Sequence, residues 1–285
     1  MSLPPGWYPR QKEKIGEFLE PFARAGAPTG QEGFAAIAPH AGWYYSGQTA
    51  AVAVASLDAA AETVVVIGGH LPRGIEVLIA PEDGVKTPLG TMTVDLELRE
   101  EFKKQVSSKP DRYADNTVEV LLPMVHYFFP QSKLLWLRFP AEEKSFEAGK
   151  ILTKTAADLG RRLVVLASTD LTHYGDNYGF SPMGRGRPAL EWVKKVNDAA
   201  FIEAVLEGNP SLVLKRAEED SSACSAGAVL GALGFAASNG ETRANFAAKF
   251  AANFARLLEY RTSADVSPDD EVPSSFVGYA AISLG

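Results

Sequence analysis

Short apolar runs alternate along this chain with longer stretches of helical periodicity. Two of the runs, Val64-Val65-Val66-Ile67 and Leu163-Val164-Val165-Leu166, are apolar at every position. Strands that helices cover on both faces show this continuous pattern, whereas half-exposed strands alternate between apolar and polar residues. We therefore predict strands at residues 33–38, 63–68, 76–80, 133–139, 163–167, 255–261 and 276–283.

Helical periodicity fills most of the intervals between these strands. The predicted helices lie at residues 11–23, 47–60, 95–106, 118–128, 144–159, 189–206, 226–237 and 243–254. Such alternation is typical of layered α/β folds with a largely parallel sheet. The acidic, proline-containing stretch 263–275 precedes a strand, so we interpret it as a surface loop within one domain. The fold class that we expect is α/β: a single layered domain over residues 1–285, with a central mostly parallel or mixed sheet flanked by helices.

Composition and charge narrow the classes of function. The chain carries 35 acidic and 28 basic side chains, a formal net charge of −7, and the basic residues are dispersed, unlike those of a nucleic-acid-binding protein. Its longest uncharged apolar-rich stretch, 223–237, falls short of the ~18 residues that span a bilayer. The N-terminus lacks the features of a signal peptide, and the one cysteine, Cys224, suits a reducing compartment. We expect a cytoplasmic protein that binds neither nucleic acid nor membranes.

Three of the four histidines stand directly after predicted buried strands. His40 follows the strand at 33–38, His70 follows 63–68, and His173 follows 163–167. In open α/β sheets, ligands bind outside the carboxyl ends of the strands, so we expect these histidines to converge at one edge. We expect the nitrogens of His40 and His70 to lie within ~5 Å of each other, close enough to share a metal ion. His126 lies inside a predicted helix and is interpreted as structural.

A cluster of imidazoles with one anionic group is a common metal site. The residues leave the anionic ligand open between Asp170, Glu119 and the thiolate of Cys224. A carboxylate would give the two-His-one-carboxylate arrangement of non-haem Fe(II), whereas a thiolate shifts the preference toward copper or zinc. We expect Asp170 and His173 to line the same pocket, with Asp170 accepting a hydrogen bond that fixes an imidazole tautomer.

Structural roles compete with these assignments. Asp170 can cap the turn after its strand, and Cys224 can be a small buried hydrophobic residue. The position of Cys224 at the start of a predicted helix favours the thiolate instead. The sequence contains no phosphate-binding loop, dinucleotide fingerprint or serine-hydrolase elbow, which disfavours ATP, NAD and serine-hydrolase chemistry.

The run Pro39-His40-Ala41-Gly42-Trp43-Tyr44-Tyr45-Ser46-Gly47 resembles the P-H-A-G-[YW]-x-[YF]-[SC]-G signature of the MEMO family, the AmmeMemoRadiSam system protein B group. The resemblance covers roughly residues 5–285. Further matches follow in family order: Ile67-Gly68-Gly69-His70, Thr87-Pro88-Leu89-Gly90, Val118-Glu119-Val120-Leu121-Leu122-Pro123, Ser168-Thr169-Asp170-Leu171-Thr172-His173-Tyr174, Cys224-Ser225-Ala226-Gly227 and Ser274-Ser275-Phe276-Val277-Gly278-Tyr279-Ala280-Ala281.

The resemblance implies a fold similar to that of class III extradiol dioxygenases. It implies a pocket in which His40, His70 and Cys224 hold iron or copper, with Asp170 and His173 nearby as catalytic or supporting groups; the cysteine ligand also admits zinc. Small molecules or phosphotyrosine peptides are the ligands that it implies. Association with radical-SAM and AMMECR1-like proteins is implied for microbial members.

Three departures from the family pattern are visible. Gly68-Gly69-His70 lacks the usual proline, and Asp115-Asn116-Thr117-Val118-Glu119 stands where the family has E-H-S-x-E. A histidine of the family is thus Asn116 here, which argues against an acid–base or ligand role at that position. The residues after Cys224 also differ.

Three functions remain open on the sequence. The first is a metal-dependent oxidoreductase with His40, His70 and Cys224 as ligands. The second is a non-catalytic module that binds a peptide or anion in the same pocket. The third is a Cys–His hydrolase with Cys224 as nucleophile, His173 as base and Asp170 as its orienting group.

Overall fold

The computed structural model describes residues 2–25, 33–113, 115–238, 254–266 and 271–285. Its strands are β1 (Ala35–Ala38), β2 (Thr63–Leu71), β3 (Val77–Ile79), β4 (Gly84–Thr87), β5 (Gly90–Thr93), β6 (Ser108–Pro110), β7 (Lys133–Pro140), β8 (Leu163–Ser168), β9 (His173–Gly175), β10 (Ala255–Thr262) and β11 (Ser275–Leu284). Its α-helices are α1 (Lys12–Ala25), α2 (Trp43–Ala55), α3 (Leu96–Lys103), α4 (Asn116–Glu119), α5 (Leu122–Phe128), α6 (Glu143–Asp158), α7 (Arg187–Trp192), α8 (Asp198–Leu206), α9 (Pro210–Glu219) and α10 (Ala226–Ser238).

The expected mixed α/β architecture is confirmed. Nine of the eleven described strands form one sheet in the order β10-β11-β1-β8-β2-β7-β3-β6, with β9 paired to β11, and β4 and β5 form a separate two-stranded sheet. The four central strands, β1, β8, β2 and β7, run parallel. Antiparallel neighbours flank them, β11 on one side and β3 on the other. Strand β8 therefore lies between β1 and β2, and the carboxyl ends of these three strands are neighbours.

Two hydrophobic layers cover the sheet. Alternate residues of β2 point to opposite faces: Val65 and Ile67 pack with α6 and α10, whereas Val64 and Val66 pack with α2 and α5. All four side chains are fully buried. The continuous apolar runs of the central strands follow from this two-sided burial, as the sequence pattern predicts.

Several predicted elements differ in their bounds. The helix predicted at 118–128 is two helices, because Pro123 has no N–H to continue a helical hydrogen-bond ladder and stands in the first turn of α5. The helix predicted at 189–206 contains a π-helical turn, Val193–Asn197, between α7 and α8. Strand β2 extends past residue 68 to Leu71, with a break in pairing register after Gly68. The helix predicted at 243–254 falls almost entirely outside the described residues.

The loops carry structure that the sequence pattern does not predict. Helix α9 and the short strands β4, β5, β6 and β9 were absent from the predicted elements. A three- or four-residue strand contains too little alternation for its period to be recognised. None of the helices in the described parts of the chain is long and apolar enough to cross a membrane.

Candidate metal centre

The candidate site lies where β1, β8 and β2 end side by side. His40 follows β1, Asp170 follows β8, and His70 is the penultimate residue of β2. Cys224 reaches the same place from the loop before α10, and two hydrogen bonds pin that loop to the end of β8. The Cys224 N–H donates to the Asp170 carbonyl at 3.2 Å, and the Ser225 N–H donates to Thr169 Oγ1 at 3.1 Å.

His40, His70 and Cys224 converge. One potential ligand atom from each lies within 4.8 Å of those of the other two, in line with the separation expected for the histidines. The Cys224 Sγ is 3.3 Å from His40 Nε2. The two imidazole rings meet edge to face, with their centroids 4.9 Å apart.

Both imidazoles have a polar partner at Nδ1. His40 Nδ1 lies 2.7 Å from Ser168 Oγ, and His70 Nδ1 lies 3.2 Å from Asp115 Oδ2. In each ring Nε2 is thereby the nitrogen left for the cluster. Ligating histidines in metalloproteins commonly have this arrangement, in which a protein group at one nitrogen orients the other toward the ion.

Asp170 supports His40 in a different way from the one that the sequence predicted. Its Oδ1 accepts the backbone N–H of His40 at 2.7 Å, whereas its Oδ2 is 3.9 Å from His40 Nε2. Ser168, not Asp170, is therefore the hydrogen-bond partner of His40 Nδ1, and Cys224 Sγ faces Nε2. Asp170 fixes the main chain that carries the ring.

His173 lines the same cavity as Asp170, as expected. Its Nδ1 lies 3.1 Å from the Leu171 carbonyl oxygen, and its ring packs edge-on against Tyr178 with centroids 4.9 Å apart. The imidazoles that interact with the Cys224 sulfur are those of His40, at 3.3 Å, and His70. A hydrolase in which His173 activates Cys224 therefore has no support in this geometry.

Of the three candidate anionic ligands, Glu119 lies elsewhere. Its carboxylate accepts hydrogen bonds from the backbone of Ser2 and Leu3 and from the Tyr8 hydroxyl. Glu119 thus ties the N-terminal segment to α4, which is a structural role. The thiol of Cys224 is the candidate that joins the two imidazoles.

The electrostatics of the cluster favour a thiolate. Burial raises the pKa of Cys224, but the charge and hydrogen bonding of His40, followed by those of His70, outweigh it and lower the pKa well below its ordinary value. Burial lowers the pKa of His70, but hydrogen bonds to Asp115 and Cys224 outweigh it and raise the pKa to about 10. Cys224 lies just before α10, which begins at Ala226, and the two imidazoles are the groups that lower its pKa.

Backbone strain is concentrated beside the site. His70 (φ 57°) and Ser221 (φ 51°) are the residues other than glycine with positive φ in the described chain. His70 is one of the three clustered residues, and Ser221 precedes Cys224 in the loop that delivers it. Left-handed conformations of this kind persist where surrounding contacts enforce them, and they are common at functional sites.

His40 and His70 line a cavity of about 640 Å³. Exposed tyrosines stand at its mouth: Tyr44, Tyr45 and Tyr178 are 64%, 49% and 46% exposed. Trp7 and Tyr279 also line it, and the described lining includes no lysine or arginine. The cavity has the size and aromatic character of a small-molecule site.

The donor set fits a metal ion. A 3.3 Å separation between a sulfur and a nitrogen is the spacing expected of two ligands bonded to one ion at ~2.3 and ~2.0 Å. Two imidazoles and one thiolate suit copper, zinc or iron and are poor ligands for magnesium or calcium. The sequence pattern does not single out Asp115 and Ser168 as partners of the two rings, although both lie in segments that align with family motifs.

Comparison with known proteins assigns the family. The Memo-like protein family model matches residues 2–283. A MEMO1 family protein of Methanosarcina acetivorans is 32% identical over 88% of this chain and 86% of its own length. A MEMO1 family protein of Pyrococcus abyssi is 30% identical over 97% of this chain and 95% of its own length. An uncharacterized protein of Escherichia coli K12 has a solved structure with a TM-score of 0.47 and 14% identity, covering 88% of this chain and 99% of its own. The match along nearly the whole chain bears out the resemblance carried by the P-H-A-G run, and this chain belongs to the Memo-like protein family.

Proposed function

We propose that this protein is a metal-dependent oxidoreductase that acts on a small organic substrate. The observation that carries the proposal is the cluster of His40, His70 and Cys224, whose two histidines line a cavity. These three residues would hold iron or copper, with zinc as the redox-inactive alternative. A bound redox metal supplies one-electron chemistry and a Lewis acid for substrate oxygen atoms.

The remaining polar residues of the cavity are suited to proton transfer. Burial raises the pKa of the Asp170 carboxyl, although the positive charge of His40 opposes the shift. A carboxyl that retains its proton to higher pH can donate it to a substrate oxygen. His173 presents a second group at the cavity wall. We assign these two residues to holding and moving protons at the substrate.

The cavity wall favours a planar, uncharged substrate. Tyr44 and Tyr45 meet edge to face at 4.9 Å, and Tyr178 stands beside His173, so aromatic rings are available to pack against a flat molecule. An anion-binding module would be expected to use lysine or arginine, which the described lining lacks. For this reason we favour the oxidoreductase over the anion-binding alternative. Association with radical-SAM and AMMECR1-like proteins stays a prediction.

The test is metal content followed by oxygen consumption. Protein purified without added metal should contain close to one equivalent of iron or copper, and His40→Ala and Cys224→Ser should lose it. His173→Gln is the matched control, because it changes a cavity histidine outside the cluster and should keep the metal. Oxygen uptake with catechol or a simple phenol should occur in the wild type and fall in His173→Gln.

Two outcomes would contradict the proposal. If the wild type binds neither iron nor copper, the cluster is not a redox metal site. If it holds metal but consumes no oxygen with any phenol or reductant tested, the pocket is a binding module.

A further inference from the structure

We propose that Asp115, held by Arg138, is the positioning residue that aims His70 Nε2 at His40 and Cys224. The inference rests on the proposed metal-dependent function, because it assigns the residue that prepares one of the three ligands. It concerns a side chain outside the cavity lining, on the segment that leads into α4.

His70 needs such a partner more than His40 does. The side chain of His40 is 1% exposed, so packing alone restrains its ring, whereas that of His70 is 35% exposed. His70 also sits where the pairing of β2 with β7 is interrupted, in a left-handed backbone conformation. Neither burial nor regular sheet pairing fixes this ring. Its Nδ1 contact with Asp115 Oδ2, at 3.2 Å, supplies the missing restraint.

The Asp115 carboxylate is itself rigidly held. Its Oδ1 accepts hydrogen bonds from the N–H of Thr117, at 2.8 Å, and from the Thr117 hydroxyl. Its Oδ2 lies 3.3 Å from Arg138 Nη1. The side chain of Arg138 is 5% exposed, and its guanidinium group donates two hydrogen bonds to Asp111, at 2.7 and 2.8 Å. Each oxygen of Asp115 therefore has two partners, and its orientation is determined before any ligand binds.

The same network also holds the main chain that carries the ring. Thr117 Oγ1 lies 3.2 Å from the N–H of Gly69, the residue before His70. Gly69 has no room for a side chain, because an added Cβ would overlap Ser225 next to Cys224. Asp115 thus fixes the ring of His70 and Thr117 fixes its backbone, next to the loop that carries Cys224.

The two imidazoles differ in the chemistry of their partners. A neutral hydroxyl from Ser168 meets His40, whereas a carboxylate meets His70. A carboxylate accepting the Nδ1–H polarises the ring and makes the opposite nitrogen a better metal ligand. Asp115 is accordingly expected to control how tightly His70 binds the ion, beyond keeping the fold in place.

The experiment uses Co²⁺ as the probe, because a bound thiolate gives it a charge-transfer absorption. Co²⁺ titration of the full chain should show ~10–100-fold weaker binding for Asp115→Asn than for the wild type. Asp115→Glu, which keeps a carboxylate, should recover part of the loss. Glu119→Gln is the matched control: it makes the same carboxylate-to-amide change at the other end of α4, without contact to His70, and should bind Co²⁺ as the wild type does.

A metal-free readout separates this inference from the proposed function. Crystal structures of the wild type and of Asp115→Asn without metal should show one ring orientation for His70 in the former and a rotated or divided orientation in the latter. Absence of Co²⁺ binding in the wild type, together with this ring difference, would overturn the metal-dependent function and leave the positioning role standing. Unchanged Co²⁺ affinity and an unchanged ring in Asp115→Asn would overturn the inference.

Discussion

In the proposed metal centre, Cys224 would determine which metals are accepted, since a thiolate prefers softer ions than a carboxylate does. Cys224→Ser removes the sulfur and changes the volume of one half-buried side chain. We expect the variant to fold and to lose both the thiolate-to-Co²⁺ absorption and most of its affinity for copper. Absorption spectroscopy during Co²⁺ titration checks the first expectation, and circular dichroism checks the fold.

Labelling of the thiol provides an independent check on this residue. A thiol-reactive dye should label the native wild type, and bound metal should slow the labelling. If the dye failed to label Cys224 until the protein unfolded, both with and without metal, Cys224 would instead be a buried residue of the hydrophobic core.

Asp170 affects the centre through the main chain of His40. Its Oδ1 accepts the His40 N–H at 2.7 Å, and Asp170→Asn replaces the carboxyl acceptor with an amide oxygen or presents an amide N–H to that donor. We expect metal retention to fall by roughly 10–100-fold, as for other residues that support ligating histidines. The metal content of both proteins after dialysis against a chelator measures this loss of metal retention. If Asp170→Asn retained metal as well as the wild type does, Asp170 would only cap the turn after β8.

The residues themselves explain which parts of the site the sequence predicts. His40, Asp170 and His70 follow apolar runs at the ends of parallel strands, and the topology of such sheets brings those ends to one edge. The choice among Asp170, Glu119 and Cys224 as the anionic partner depends on contacts between distant segments, which spacing does not encode. The contacts of Asp115 and Ser168 with the two imidazoles also join segments that are distant in sequence. Asp115 adjoins a four-residue helix and Ser168 ends a strand, and the direction of each side chain depends on tertiary packing.

At the scale of the elements, two-sided burial made the central strands predictable. The bounds of β7 and β8 differ from the predicted ones by one residue each, because their apolar runs are unbroken. Strand β9 is three residues long and takes its conformation from pairing with β11, so local sequence carries almost no signal for it. The division of the helix at 118–128 shows that Pro123 outweighs the helical periodicity around it.

The contact between helices α6 and α10 depends on glycine. A Cβ at Gly149 would overlap the carbonyl oxygen of Gly231 and approach the backbone nitrogen of Phe235 to 2.8 Å. Both obstacles are backbone atoms, so the helices must separate to admit a methyl group. We expect Gly149→Ala to destabilise the protein by ~1–3 kcal/mol, measured by urea denaturation.

A second glycine supplies the control for this prediction. Gly16 in α1 has negative φ and open space around its Cβ direction. Gly16→Ala should therefore stabilise the protein by ~0.5–1 kcal/mol, through helix propensity alone. Equal effects of the two substitutions would contradict the close-packing account of α6 and α10.

On the scale of the whole molecule, Asp198 connects three segments that are distant in sequence. It stands at the start of α8 and is fully buried. Its Oδ1 accepts the Thr172 N–H at 3.0 Å, next to the site-bearing segment after β8. Its Oδ2 accepts the Tyr260 hydroxyl of β10 at 2.7 Å. One carboxyl group thus connects helix α8 to the edge strand β10 and to the segment after β8 that leads to the candidate centre.

This carboxyl group is expected to make stability depend on pH. Burial raises the pKa of Asp198 to about 6, although hydrogen bonds from Thr172 and Tyr260 oppose the shift. In the unfolded chain the pKa of an aspartate is about 3.9. Between these values the folded protein holds a proton that the unfolded chain has lost, so the free energy of unfolding decreases as pH rises from about 4 to about 6. Two pKa units correspond to about 3 kcal/mol.

Asp198→Asn isolates this contribution, because the amide stays neutral and keeps an acceptor oxygen. Urea denaturation of both proteins from pH 4 to pH 7.5 gives the difference in their free energies of unfolding, in which groups common to both proteins cancel. We expect the wild type to lose about 3 kcal/mol relative to Asp198→Asn across the window from about 4 to about 6, with no further change above it. A difference that stays constant with pH would show that the hydrogen bonds from Thr172 and Tyr260 already compensate the buried charge, and that Asp198 is ionised in the folded protein throughout this range.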